Sequence, residues 1–152
     1  DGSSTALLPV TVQSNALLGY TLSATDTSDV TGLACSIGGC AGSGIVDWTG
    51  TGPSPTVWNE SGSNYGLGVT VLSSAHAPKN SAVWGSGTTA RDFANNRYAG
   101  LKATAATTLH APRRYIADTP DVTVLGLRAR VSPTQRAGPY AGIITFTVVA
   151  NP

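Results

Sequence analysis

Few residues in this chain are of the types that carry out catalysis. The histidines are His76 and His110, each followed by Ala-Pro, and Glu60 is the sole glutamate. A Ser-His-Asp site can be assembled on paper from any sequence this rich in serine, so the presence of the three residue types is not evidence. No G-x-S-x-G segment accompanies the histidines. We therefore predict no catalytic residues, and a protein that is not an enzyme.

The aspartates lie mostly in turn-forming surroundings, beside Thr, Gly or Pro. A carboxylate pair for glycoside hydrolysis would have to come from Asp26, Asp29, Asp47, Asp92, Asp118 and Asp121. Asp26 and Asp29, in DTSD, are candidates for a calcium loop, but the EF-hand spacing is absent and an Asx-type turn is the favoured interpretation. We predict no metal site. Without a glycine-rich phosphate loop before a helix, we also predict no cofactor.

The cysteines are Cys35 and Cys40, in CSIGGC. The glycines between them let the chain fold back, so a disulfide that closes a tight loop is the first interpretation. The alternative, a two-thiol metal or redox site, lacks the CxxC spacing and a nearby histidine. A disulfide indicates an oxidising, extracellular compartment.

Length and composition favour one extracellular domain spanning residues 1–152. Charged residues make up 11% of the chain and the formal net charge is +1, which argues against nucleic acid as a partner. Arg113, Arg114, Arg128 and Arg130 predict a solvated or salt-bridged face, with phosphate or acidic-polymer binding as the alternative. No apolar stretch is long enough for a membrane helix. The start lacks a signal-peptide pattern, so we expect any signal peptide to have been removed and the protein to be secreted or displayed at the cell surface.

Both ends of the chain show the two-residue alternation of β-strands. Near the start, Leu8, Val10 and Val12 share one face, and residues 20–25 form a second strand that we expect to be its neighbour. Residues 121–152 read as a long β-hairpin. Its first strand changes phase around Leu125 and Gly126, which predicts a β-bulge there.

The middle of the chain predicts shorter strands. Residues 65–71 form the best of them, and the bare face left by Gly66 and Gly68 predicts that a backbone or a large side chain lies close to it. Short strands are also predicted at 45–49 and 56–59, with minor ones within 98–109 and at 115–117, and a short helix around Thr89 to Asn95. Short strands separated by turns indicate an all-β, antiparallel β-sandwich of the Ig-like or jelly-roll-like kind.

Two further features suggest contacts with carbohydrate. Trp48 and Trp58 are expected to fold onto the edge of the core, with stacking on sugar rings as the alternative. Asn59, Glu60 and Ser61 fit the N-x-[ST] acceptor pattern, which makes Asn59 a candidate N-glycosylation site.

Segments near both ends of the chain resemble a broad group of secreted bacterial and archaeal β-sandwich surface proteins. Residues 10–26, VTVQSNALLGYTLSATD, resemble the VTVTSNAxxGYTLTVSD strand pair of that group. Residues 128–152, RARVSPTQRAGPYAGIITFTVVANP, resemble its xVSxTQxAGxYxGTITYTVTAN ending, which is also similar to the C-terminal part of WxL-type cell-surface domains. The WxL motif itself is missing, so peptidoglycan binding of that kind is not expected. The resemblance implies a structural role like that of surface-layer, adhesin and filament subunits.

The resemblance also suggests how subunits would join. In the resembling proteins another strand usually precedes the VTVTSN strand, whereas here only residues 1–5 do so. We therefore hypothesise that the sandwich either lacks a strand or belongs to a pilus-like homopolymer in which residues 1–13 complete the sheet of a neighbouring subunit. The predicted interface residues are Leu7, Leu8, Val10 and Val12.

Two other functions stay open at this stage. One is a monomeric adhesin or glycan-binding sandwich that would use Trp48, Trp58 or Trp84 to bind surface glycans. The other is a structural protein of a phage or virus.

Overall fold

The structure, a computed structural model, describes residues 3–60, 64–113 and 119–152. It is mostly β, with one helical turn, α1 (Ser81–Trp84), and a 3₁₀ turn at Gly38–Cys40. The strands are β1 (Ser3–Val12), β2 (Tyr20–Thr25), β3 (Thr31–Ala34), β4 (Gly44–Val46), β5 (Thr56–Val57), β6 (Gly66–Ser74), β7 (Arg97–Tyr98), β8 (Thr107–His110), β9 (Asp121–Arg130) and β10 (Thr145–Ala150).

Two three-stranded antiparallel sheets form the body of the protein. One has the order β1-β9-β6 and the other β10-β2-β8, while β3-β4 and β5-β7 form two-stranded sheets. Val71 and Leu125 of the first sheet meet Tyr20, Leu22 and Leu109 of the second in one apolar core. The predicted all-β antiparallel class is confirmed, and two sheets that share a core are consistent with a sandwich-like fold.

The predicted C-terminal hairpin is wrong. Both of its strands exist, but β9 pairs with β1 and β6, whereas β10 pairs with β2 in the other sheet. The expectation that the first two strands are neighbours is wrong for the same reason, since β1 and β2 lie in different sheets. In both cases the connection between the strands crosses from one sheet to the other. Alternation along a strand reports which face is covered and not which strand lies beside it.

The predicted bulge lies on a different strand. β9 keeps an unbroken register with β1 through Leu125 and Gly126, and the register shift falls between Val71 and Ser73 of β6. Leu125 therefore shares the core face of β9 with Leu127, while Gly126 and Arg128 lie on the opposite face. The apolar alternation shifts by one residue in the sequence because both faces of β9 are buried, and not because the strand is bulged.

That opposite face of the first sheet is covered by a second cluster of side chains, which we call the aromatic cluster: Trp48, Trp58, Phe93 and Tyr98. A Cβ atom on Gly68 would lie 3.0 Å from Cζ3 of Trp58. This confirms that the bare face of β6 receives large side chains. The absence of a side chain at Gly68 lets the aromatic cluster approach the sheet.

The shorter predicted elements have mixed outcomes. The strands predicted at 45–49 and 56–59 correspond to the shorter β4 and β5, and β7 and β8 lie at the ends of the predicted 98–109 region. The helix expected at Thr89 to Asn95 is wrong, because that stretch forms turns and the helical turn is α1. β3 was not predicted, since a glycine interrupts its short apolar pattern. The strand expected at 115–117 lies outside the described residues.

The predicted disulfide joins Cys35 to Cys40. In the described part of the chain, no helix is long and apolar enough to span a membrane.

Candidate functional site

The first candidate site is the contact between β1 and β9. β1 is an outer strand, and its ladder with β9 runs from the Ser3–Arg130 pair to the Val12–Asp121 pair without a break. Among the described strands, β9 is its sole ladder partner. In this structure β1 therefore completes the sheet of its own chain.

The predicted interface residues divide between the two faces of β1. Val12 is buried in the core, and Leu8 and Val10 are partly buried and pack against it. Leu7 lies on the other face and is exposed. Leu8, Val10 and Val12 therefore attach the strand to the core, as their alternation predicted, whereas Leu7 adds an apolar group to the surface.

A second outer strand, β10, lies in the other sheet. It pairs with β2 alone among the described strands, and Val148 and Val149, which face opposite ways, are both exposed. Phe146 is partly buried against the core. β10 thus presents an edge with apolar side chains, of the kind that can pair with another chain unless it is covered.

β1 and β2 are joined by residues 13–19, which carry two exposed leucines, Leu17 and Leu18. Gly19 ends the connection with φ 76°, a left-handed conformation that favours glycine, and its N–H donates to the carbonyl of Ala16. This connection is the segment that would have to rearrange if β1 were to leave its own sheet.

The tryptophans do not present faces to a sugar. Trp48 and Trp58 are buried and stack on each other, with ring centroids 4.1 Å apart and an interplanar angle of 10°. Tyr98 meets Trp58 edge-on at 5.4 Å, and Trp84 is buried in the main core. The expectation that Trp48 and Trp58 fold inward is confirmed, and stacking of these rings on carbohydrate is wrong for this structure.

The aromatic cluster encloses the positive charge of Arg128, which the sequence pattern predicted to be exposed to solvent. Arg128 is fully buried, with its guanidinium carbon 3.5 Å from the ring centroid of Phe93 and 4.7 Å from that of Trp58. Its Nη2 donates to Oε1 of Glu60 at 2.6 Å and its Nε to Oγ of Ser3 at 3.2 Å. Burial lowers the pKa of Arg128, although Glu60 opposes that shift. Arg128 is salt-bridged, as one interpretation expected, but the expected solvent exposure is wrong.

A network of polar groups is centred on Asp121, the first residue of β9. Its carboxylate accepts hydrogen bonds from Tyr20 Oη at 3.0 Å, Ser74 Oγ at 2.8 Å and the His76 N–H at 3.1 Å. Nε2 of His110 lies 3.3 Å from Asp121 Oδ2. Burial alone would raise the pKa of Asp121, but these donors outweigh it and the pKa is lowered.

This network does not have the geometry of a Ser-His-Asp site. In such a site the histidine stands between the serine and the acid and contacts them through different ring nitrogens. Here Ser74 contacts Asp121 directly, and His110 uses Nε2 toward both Ser74, at 3.0 Å, and Asp121. Burial lowers the pKa of His110 although Asp121 opposes it. These hydrogen bonds link the last residue of β8, the first residue of β9, and the end of β6 with the residues that follow it.

The other predicted sites are placed as follows. Asp26 accepts the N–H of Ser28 at 3.1 Å, which confirms the Asx-type turn, and Asp29 binds the N–H and hydroxyl of Thr104. Within residues 3–60, 64–113 and 119–152, no three metal-ligating side chains come together. Asn59 is exposed, and Ser61 lies outside the described residues, so N-glycosylation stays a prediction.

Sequence reasoning missed three buried polar groups: Arg128, the Asp121 network and Asp47 beside Lys102. Each combines residues from segments far apart in the chain, and no local motif marks them. The chain matches no family model, no curated protein and no solved structure.

Proposed function

We propose that this chain is a structural subunit of an extracellular filament or pilus-like surface assembly whose subunits are joined by β-strand complementation. In this proposal β1 of one subunit lies on β9 of the next, in the register that pairs Ser3 with Arg130 and Val12 with Asp121. The observation that carries the proposal is that β1 is an outer strand with a single ladder partner among the described strands. Another copy can supply the whole strand without loss of a ladder contact.

Such an exchange preserves the backbone hydrogen bonds and the side-chain contacts that β1 makes in its own chain. The backbone ladder gives affinity, and alternate side chains of an inserted strand give register. Leu8, Val10 and Val12 supply these side chains, since they pack against or within the core. Repeated head to tail, the contact produces an open filament because the rotation between subunits need not close.

The surface features are compatible with close packing between subunits. Leu7, Leu17, Val148 and Val149 are exposed apolar side chains on or next to the outer strands. The Cys35–Cys40 disulfide supports an extracellular location, because disulfides persist in oxidising compartments. No observation favours the glycan-binding alternative, whose three tryptophans are buried.

The first experiment removes the proposed donor strand. We expect the full-length chain to form fibres at high concentration, visible by negative-stain microscopy, and a chain lacking residues 1–12 to remain unpolymerised. A synthetic peptide of residues 1–13 should bind the truncated chain and hold it monomeric. If full-length and truncated chains are equally monomeric at high concentration by size-exclusion chromatography, strand donation is wrong.

The second experiment tests whether the strand is exchanged between chains. Ser4 lies opposite Ala129, so a Ser4→Cys chain and an Ala129→Cys chain refolded together should form disulfide-linked heterodimers. An Ala6→Cys chain is the matched control, because position 6 lies opposite Leu127, two residues out of register. Equal yields from the two mixtures would mean that the link forms by random collision.

A matched pair of charge substitutions in β1 distinguishes the effect of blocking strand insertion from the effect of adding a charge to the surface. Val10→Asp places a carboxylate against the core, whereas Thr11→Asp places one on the exposed face of the same strand. We expect the first to abolish fibres and the second to leave them. Fibre formation unaffected by Val10→Asp would contradict the proposal.

A further inference from the structure

Three ionisable side chains from separate parts of the chain lie close together, and we call them the Asp-Lys cluster: Asp26, Asp47 and Lys102. Asp26 directly follows β2, Asp47 directly follows β4, and Lys102 lies between β7 and β8. Their backbones are fixed, since the N–H of Asp26 donates to the carbonyl of Lys102 at 3.4 Å and that of Asp47 to Val30 at 2.9 Å. The cluster is thus part of the packed structure.

The carboxyl group of Asp47 is buried beside that of Asp26. Its side chain is 2% exposed, and within the described residues neither oxygen has a hydrogen-bonding partner. Burial raises the pKa of Asp47, the neighbouring Asp26 raises it further, and Lys102 opposes both. These effects raise the pKa of Asp47 to about 7, so the uncharged acid is populated alongside the carboxylate near neutral pH.

The amine of Lys102 is the nearest basic group to that acid. Its Nζ lies 3.8 Å from Oδ2 of Asp47, and it donates a hydrogen bond to the backbone carbonyl of Asp29. The 3.8 Å separation between Nζ and Oδ2 is too long for a hydrogen bond, and it places the amine beside the carboxyl group whose carbon, Cγ, it would attack. The side chain of Lys102 is 33% exposed, so its apolar stem enters the site from the surface.

The surrounding backbone holds the Asp47 carboxyl group in place. A Cβ atom on Gly32 would lie 2.8 Å from Asp47 Oδ1, and one on Gly100 would lie 2.9 Å from Asp47 Cβ. The backbone at Gly32 and at Gly100 therefore packs directly against the Asp47 side chain. Such a fixed carboxyl group loses little freedom when it reacts.

Asp26 provides a group that can carry a proton. It is buried, its Oδ1 accepts the N–H of Ser28, and its Oδ2 has no hydrogen-bonding partner among the described residues. Its charge and that of Asp47 interact. Because Asp26 interacts with the Asp47 acid and its backbone N–H donates to the carbonyl of Lys102, its carboxylate is the candidate group to carry a proton between them.

We propose that Lys102 and Asp47 join in an intramolecular amide bond, with Asp26 as the proton carrier. The Lys102 ammonium gives a proton to the Asp26 carboxylate, and the neutral amine attacks Cγ of the protonated Asp47. The N–C bond forms and the C–OH bond breaks. Asp26 returns its proton to the departing hydroxyl, which leaves as water, and takes up the second proton released by the nitrogen.

This reaction needs no oxidant or external reagent, because its only by-product is one water molecule. In water the separate ions are favoured, but burial removes the solvation that stabilises them. The bond would link the segments at β4 and β7, away from the β1 ladder. The inference does not depend on the proposed filament.

The intact mass of the chain tests the proposal. After reduction and denaturation, we expect the chain to weigh one water molecule less than its sequence requires. Lys102→Arg and Asp26→Asn should have their full calculated masses. Asp29→Asn is the matched control and should keep the loss of water, since the Asp29 carboxylate binds Thr104 and Lys102 contacts only its backbone carbonyl. A native chain at full mass overturns the proposal, and a cross-linked Asp26→Asn chain overturns the role of Asp26.

Tryptic mapping locates the bond. Lys79 is the first site of tryptic cleavage, so Asp47 falls in the peptide 1–79. Modified Lys102 resists cleavage, and the peptide 98–113 should therefore be recovered joined to 1–79. Recovery of separate peptides, or a loss of water confined to one peptide, as a succinimide would give, would show that no such cross-link forms.

Discussion

In the ion pair of Arg128 and Glu60, the different exposure of the two side chains predicts which substitution is the more destabilising. Arg128 is 0% exposed, whereas the side chain of Glu60 is 46% exposed. Removing one member leaves the other without its charge partner. A carboxylate left in contact with water is hydrated, but a guanidinium enclosed by Phe93 and Trp58 is not. We therefore expect Glu60→Ala to destabilise the fold more than Arg128→Met does.

The magnitudes follow from the contacts. Breaking a fully buried ion pair from one side costs about 3–5 kcal/mol, and the partial exposure of Glu60 reduces this toward the ~2 kcal/mol of a hydrogen bond to a charged group. Arg128→Met loses the contact of the cation with two rings, worth about 1–2 kcal/mol. It keeps much of the side-chain volume and removes Nη1, a buried donor with no hydrogen-bonding partner among the described residues. The net cost of Arg128→Met should be about 1 kcal/mol or less.

Urea unfolding monitored by tryptophan fluorescence measures both variants, because Trp58 lies against the guanidinium. We expect lower midpoints with unchanged slopes, and a double variant close to Arg128→Met alone. A larger loss for Arg128→Met than for Glu60→Ala would show that ring stacking, and not charge compensation, dominates at this site.

Three further predictions follow from single observations. Gly68→Ala should lower stability by about 1–3 kcal/mol in thermal unfolding, because the added methyl group overpacks the aromatic cluster, while Gly39→Ala, with open space around it, should change stability little. The pKa values of His110 and Asp121 are both lowered, so the stability that each group contributes should fall as pH drops below 6.5 for His110 and below 3.8 for Asp121. The raised pKa of Asp47, about 7, acts in the opposite direction between these two pH values, so the test is the difference in free energy of unfolding between the native chain and His110→Gln, which should shrink as pH drops below 6.5. Deleting residues 14–18 leaves two residues between β1 and β2. The three Cα–Cα steps that remain span at most ~11 Å, which barely equals the distance of about 10 Å between packed sheets. The shortened chain should therefore be oligomeric at every concentration in sedimentation experiments, and a stable monomer would contradict this.

The sequence predicts which face of a strand is covered better than it predicts the partner of that strand. Leu8, Val10 and Val12 lie on the predicted face because burial imposes a two-residue period. The partners of β9 and β10 depend on the path of the connection between them, which carries no periodic signal. A strand pair that looks like a hairpin in sequence can therefore be divided between two sheets.

Arg128 shows a second reason for failure. The alternation rule treats the face opposite the main core as wet, but here Trp58 and Phe93 come from distant segments to cover it. The local signal was the bare glycine at position 68, opposite Arg128 on the neighbouring strand. The Asp-Lys cluster had no local signal at all, because each of its members reads singly as a turn or surface residue.

The central position of β9 changes what strand complementation requires. Its two edges are filled by β1 and β6, so a neighbour's β1 can bind only if the subunit's own β1 has left. A short connection holds β1 at an effective concentration in the millimolar range, and exchange between folded subunits must compete with that. Folded monomers mixed together should therefore polymerise only as fast as β1 detaches, whereas chains refolded together at high concentration should polymerise during folding. Fibre yield and rate from the two starting states, compared by light scattering, distinguish these cases, and equal rates would mean that subunits associate through another edge, for which β10 is the exposed candidate.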